Sequence, residues 1–215
     1  MDHTGNIIFI MEIIGTIAFA SSGALLGIRK RMDVFGVCVL GVITAVGGGL
    51  TRDVILGITP PGMFQNPVYT ATAMAVSLIL FISNYKGRDK TGEKRLVIYD
   101  KVMTVFDAIG LGIFTVVGIN TAVDAGYNQL FLLTFVGVIT GVGGGLLRDI
   151  MAQEKPYILT KHVYACASIA GALACAFLIR MMNRLPATVI GAAVVISIRM
   201  LAAHYHWNLP RVNRE

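Results

Sequence analysis

The chain is 215 residues long, 55% hydrophobic and only 14% charged, with a mean hydropathy of +0.73. This composition excludes a water-soluble domain of such a size and predicts an all-α integral membrane protein. The net charge of +6 comes without a basic helix face or a basic stripe interleaved with aromatics. Nucleic acid is therefore not an expected partner, and the basic excess is assigned to loops, where it orients the chain.

Taken in order, the first apolar run is Ile7 to Ile28, about 22 residues and enough to cross roughly 30 Å of hydrocarbon. Asp2 precedes it and Arg29, Lys30 and Arg31 follow, so it reads as part of the fold and not as a cleaved signal. A second helix is predicted from about Val34 to Leu56. Thr59, Pro60, Pro61 and Gly62 then form a turn, because adjacent prolines cannot continue a helix. A third helix runs from Pro67 to about Asn84. The segment Lys86 to Lys101, with six basic and three acidic residues, reads as a solvated linker, with binding of anionic lipid head groups as the alternative. Four further helices are predicted at Val102 to about Val123, Gln129 to Met151, His162 to Met182 and Leu185 to Tyr205, which makes seven.

The second and fifth helices carry the organising repeat. Gly41 to Asp53, GVITAVGGGLTRD, returns from Gly137 to Asp149 as GVITGVGGGLLRD, with eleven of thirteen positions identical at an offset of 96. Two structural units follow from it. Gly47, Gly48 and Gly49, and again Gly143, Gly144 and Gly145, predict a break in each helix beside a polar path; the alternative is close helix packing at small residues. Thr44 and Thr140, three residues before each triplet, are the better candidates for hydroxyls facing a pore. Gly15, Phe19, Gly23 and Gly27 match Gly110, Phe114, Gly118 and Ala122 at an offset of 95, each set a packing stripe. Ser21 and Ser22 are expected to bond back to their own helix. His3, His162, His204 and His206 read as interfacial, and Tyr205 and Trp207 as belt aromatics.

Loop charges set the orientation. With the N-terminus outside, fourteen Lys and Arg fall inside, Arg199 among them, against Arg180 and Arg184 outside. Three helices per unit is odd, so the second unit enters from the opposite side: two inverted three-helix repeats plus a seventh helix. The domains are 1–85, the first repeat; 86–101, the basic cytoplasmic linker; 102–183, the second repeat; and 184–215, the seventh helix and tail. Cys38, Cys166 and Cys175 lie in apolar runs without ligand spacing and read as small buried residues, so neither metal nor disulfide is predicted.

Glu12 maps onto Asp107 at the offset of 95, giving each repeat one early acid and one late Arg-Asp motif, Arg52-Asp53 and Arg148-Asp149. Neighbours in sequence point about 100° apart on a helix and are not expected to pair. Cross-helix pairs are expected instead, Glu12 with Arg52 and Asp107 with Arg148, flanking the pore on opposite sides of the glycine breaks. A buried unpaired charge would cost on the order of 2.5 to 3.5 kcal/mol even on a lenient scale.

The three-plus-three-plus-one plan with GGGLTRD and GGGLLRD resembles the trimeric intracellular cation channel (TRIC) family, in particular its short prokaryotic members, some of which carry a glycine-transporter-like label. The resemblance spans essentially the whole chain. It implies a homotrimer with one pore per subunit for monovalent cations, chiefly potassium; no cofactor beyond the permeant potassium or sodium is expected, and the short length without an organelle signal is read as a bacterial inner membrane. The pore positions it implies are Gly47, Gly48, Gly49, Arg52 and Asp53, with Gly143, Gly144, Gly145, Arg148 and Asp149. The lipid-binding basic motif of the eukaryotic members is not recognisable between Pro67 and Asn84. No enzyme constellation is present: HExxH, GxSxG and a P-loop lysine are all missing. A secondary transporter of a small zwitterion such as glycine is the alternative.

Overall fold

A computed structural model describes residues 3–85, 93–160 and 163–207. The described residues form helices α1 (His3–Arg29), α2 (Val34–Leu56), α3 (Gly62–Gln65), α4 (Val68–Tyr85), α5 (Glu93–Asp124), α6 (Leu130–Met151), α7 (Tyr157–Thr160), α8 (Tyr164–Leu178) and α9 (Arg184–His204). Six of them are long and apolar enough to span a bilayer. The region predicted as the sixth span instead holds α8, an apolar helix of 15 residues, about 22 Å at 1.5 Å per residue. The second helix has its predicted bounds. α5 starts earlier than expected, inside the segment read as linker.

Local chemistry explains the ends. Asp33 caps α2 by accepting a 2.7 Å hydrogen bond from the Gly36 N–H. Gly57 closes the same helix at φ 70°, a left-handed conformation that glycine adopts without strain. Arg184, the first residue of α9, bonds both carboxylate oxygens of Asp124 and the backbone oxygen of Asn120, which ties α9 to the end of α5.

Helices α1, α2, α5 and α6 form the centre, with α4 against α1 and α2, and α8 and α9 against α5. The small-residue stripes, expected to pack against the glycine-triplet helices, do so only at Gly23, Gly27 and Gly118, and Gly15 and Gly110 join α1 to α5. Gly23 and Gly27 lie against α2, at Leu40, Gly41 and Thr44 and at Val37, while Gly118 lies against Gly137 and Thr140 of α6. Gly15 meets Phe114 and Gly110 meets Phe19, and the two phenyl rings are 5.2 Å apart between centroids.

The glycine triplets do not break their helices. α2 and α6 are continuous through Gly47–Gly49 and Gly143–Gly145. Magnitudes account for this. A helical glycine costs roughly 0.5–1 kcal/mol relative to alanine, whereas each backbone group freed in a bilayer costs several kcal/mol. The triplets serve close approach instead: a methyl on Gly48 would overlap the Thr140 carbonyl oxygen, and one on Gly144 the Thr44 carbonyl oxygen. In these reciprocal contacts rising numbers on one helix meet falling numbers on the other, so α2 and α6 run in opposite senses at their crossing.

Two smaller expectations are also corrected. Cys38 and Cys175 are buried, but Cys166 is exposed, because it stands on the outward face of α8. Arg199 is not a loop charge. It lies within α9, 3% exposed, with its guanidinium 4.7 Å from the Tyr164 ring centroid, where the aromatic face stabilises the cation. Arg199 therefore drops out of the topology count. His204 and Tyr205 meet edge to face, and Tyr205 stacks with Trp207; His162 lies outside the described residues.

Candidate functional site

Each Arg-Asp motif organises a polar centre at the end of its helix. In the second repeat, Arg148 Nη1 is 2.7 Å from Asp107 Oδ1 on α5 and 2.5 Å from Ser22 Oγ on α1. Its Nε donates to Asp149 Oδ1 at 2.8 Å, and the Tyr157 ring lies 5.0 Å away, measured to its centroid. The side chains of Arg148 and Asp107 are both 0% exposed. The predicted Asp107–Arg148 pair is thus formed.

The first repeat is arranged differently. Arg52 Nε donates to Asp53 Oδ1 at 2.8 Å, while Glu12 accepts a hydrogen bond from the Tyr69 hydroxyl on α4. Glu12 and Arg52 attract electrostatically but form no ion pair, so the predicted Glu12–Arg52 bridge is replaced by Glu12–Tyr69. The expectation that sequence neighbours cannot pair also fails, in both repeats. A long arginine side chain folds back along the helix surface and brings Nε onto the next residue's carboxylate.

The second oxygen of each aspartate has a structural task. Asp53 Oδ2 accepts from the Gly62 N–H at 2.7 Å, and Asp149 Oδ2 from the Tyr157 N–H at 2.8 Å. Each motif therefore fixes the start of the short helix that follows, α3 or α7, and satisfies a backbone donor that the bilayer would leave unpaired.

A cavity of about 270 Å³ opens at the first centre, lined by Glu12, Thr16, Gly49, Arg52, Asp53 and Tyr69 among others. Thr44 and Thr140 do not line it. They are 0% and 1% exposed and donate to the carbonyls of Leu40 and Val136, so they belong to the helix crossing. The third glycine of each triplet does face a polar centre. Gly49 borders the cavity, and a methyl at Gly145 would stand 2.8 Å from the Tyr164 hydroxyl and 3.5 Å from Asp107 Oδ1.

Reading residues singly missed Tyr69, Tyr164, Gly62, Tyr157 and the role of Ser22. The offset of 95 would have found two of them, since Val68-Tyr69 recurs as Val163-Tyr164, whereas Gly62 and Tyr157 stand at matching positions but differ. Ser21 bonds back to Ile17 as expected, whereas Ser22 accepts from Arg148.

The family model described as "Glycine transporter" matches residues 9–85 and again 104–180. A solved structure of a TRIC cation channel shares 36% identity, with 96% of this chain and 97% of that one covered, at a TM-score of 0.82. The Rhodobacter sphaeroides orthologue of the trimeric intracellular cation channel shares 30% identity over 93% of this chain and 98% of its own, at a TM-score of 0.84. This chain belongs to the TRIC family. The chain is also similar to the inner membrane protein YadS of Escherichia coli K12, 38% identical with 95% of both chains covered. A membrane protein of Deinococcus radiodurans is 38% identical over 93% of this chain and 89% of its own. A TRIC counter-ion channel of calcium release, 16% identical at a TM-score of 0.60, shares the fold.

Proposed function

We propose that this TRIC protein is a potassium-permeable channel for monovalent cations, with one path through each subunit of a homotrimer. The observation that carries the reading is the cavity beside Gly49, which brings Glu12, Asp53 and Arg52 to one space large enough for several waters inside an apolar helix bundle. Two carboxylates against one guanidinium give that space a formal negative charge, which favours cations. Charged side chains at membrane depth are costly without a function, and both repeats keep them. The cavity and the Arg148 centre, on either side of the tight α2–α6 crossing, are the two ends of the path we assign, bounded by α1, α2, α5 and α6. Gly49, Gly145, Glu12, Arg52, Asp53, Asp107, Arg148 and Asp149 flank it.

The membrane arrangement follows the same reading: seven spans in two inverted three-helix repeats with α9 added, the N-terminus outside and the C-terminus cytoplasmic, in a bacterial inner membrane. The trimeric description of the Rhodobacter sphaeroides orthologue supports the homotrimer. Bilayer recordings of reconstituted protein under bi-ionic conditions test the channel. Unitary steps with a reversal potential set by potassium are expected, and the absence of both unitary current and potassium flux would sink the reading.

A second reading has one observation in its favour. The cavity presents a guanidinium and a carboxylate together, which suits a small zwitterion such as glycine. Counterflow of labelled glycine without single-channel steps would favour a transporter.

A further inference from the structure

The two polar centres are built from matched residues in two different pairings. At offsets of 95 or 96 Glu12 corresponds to Asp107, Arg52 to Arg148, Asp53 to Asp149 and Tyr69 to Tyr164. In the first centre the α1 carboxylate takes the tyrosine hydroxyl and leaves the arginine to its neighbour. In the second the α5 carboxylate takes the arginine, and the matched tyrosine is stranded. Tyr164 is 2% exposed, and among the described residues its hydroxyl has no hydrogen-bond partner; neither does Asp107 Oδ2. A methyl at Gly145 would touch that hydroxyl at 2.8 Å and the Asp107 carboxylate at 3.5 Å, so both border the same small space.

Sequence differences explain which centre is open. Gly62 stands in the first repeat where Tyr157 stands in the second, and Gly62 lines the cavity while the Tyr157 ring covers Arg148. Ser22 supplies Arg148 with an acceptor; its match in the second repeat is Val117, which offers Arg52 none.

We infer that the second centre is the gate, and that it opens by partner exchange: Asp107 leaves Arg148 for the Tyr164 hydroxyl, the arrangement that Glu12 and Tyr69 already hold in the first centre. Tyr164 is then a positioning residue of the open state, and Tyr157 the lid on the closed one. The exchange adds no charge to the centre. It trades an ion pair for a hydrogen bond that satisfies a buried hydroxyl, and Asp149 keeps Arg148 paired throughout. This inference rests on the channel reading for its electrical consequence, but the unequal pairing stands independently of it.

The test compares Tyr164→Phe, Tyr69→Phe and Tyr157→Gly in purified full-length protein. Thermal unfolding in detergent reads the pairing. Tyr69→Phe loses a bond to a carboxylate and is expected to lower Tm, while Tyr164→Phe removes a stranded hydroxyl and is expected to hold or raise it. Bilayer recordings read the gate. Tyr164→Phe should lower open probability roughly tenfold or more at unchanged unitary conductance, and Tyr157→Gly should raise it. A fall in Tm for Tyr164→Phe equal to that for Tyr69→Phe would show that its hydroxyl is already bonded and overturns the inference. An unaltered open probability in Tyr164→Phe overturns it as well. Wild-type protein without current would fail the channel reading, and the unfolding comparison would still decide the pairing.

Discussion

Asp107 and Arg148 form an ion pair at 2.7 Å with neither side chain exposed, a bridge between α5 and α6 entirely inside the bundle. Removing one partner leaves an uncompensated charge where water cannot reach. Asp107→Asn should therefore lower unfolding stability by about 3 kcal/mol. Glu12→Gln, whose residue keeps a hydroxyl partner and borders a cavity, should cost about 1 kcal/mol. Unfolding of both variants in one detergent measures the difference, and equal losses would contradict the closed and open assignments of the two centres.

The glycines of a triplet should not tolerate alanine equally. Gly48→Ala and Gly144→Ala drive a methyl into a carbonyl oxygen of the facing helix and should cost about 1–3 kcal/mol, as overpacking does. Gly49→Ala meets nothing nearer than the Arg52 guanidinium at 3.7 Å and should be neutral or stabilising by up to about 1 kcal/mol. Thermal shift of the three variants checks the order. Equal tolerance at all three would speak against the tight α2–α6 crossing.

Asp53 and Asp149 should matter for more than charge. Asp149→Ala frees the Tyr157 N–H as well as Arg148, and the loss of a buried charged acceptor should cost about 1.5–3 kcal/mol. Hydrogen exchange at the amide of Tyr157 should quicken in Asp149→Ala and stay slow in Asp53→Ala, which acts instead at Gly62.

At the charged end of α1, Lys30 lies 2.6 Å and Arg29 3.3 Å from Glu154, and Arg29 also reaches Asp100 at 2.6 Å. The hydrogen bond from Lys30, aided by the charges of Lys30 and Arg29, holds the Glu154 carboxyl below its ordinary value of 4.5. A carboxyl depressed in the folded state stabilises above its unfolded pKa, and that contribution is lost as pH falls through the lower, folded value. Glu154→Gln should therefore lower Tm slightly near pH 7 and have no effect well below pH 4.5. The difference should shrink in high salt, since these groups are partly exposed.

The sequence alone determined the class, the repeat and the motif. Apolar runs of about 20 residues admit little besides spanning helices, and an eleven-in-thirteen identity is legible without any structure. It also placed the Asp107–Arg148 pair, because an intramembrane charge needs a partner and the offset named one. Only the tertiary structure decided what the glycines do. A triplet is compatible with a break and with a crossing, and the choice depends on whether a second backbone arrives to use the missing side chains; here the Thr140 and Thr44 carbonyls do. Likewise, nothing within helix α1 says whether Glu12 meets Arg52 or Tyr69. That was settled by the approach of α4, and by Gly62 leaving open the space that Tyr157 fills in the other half.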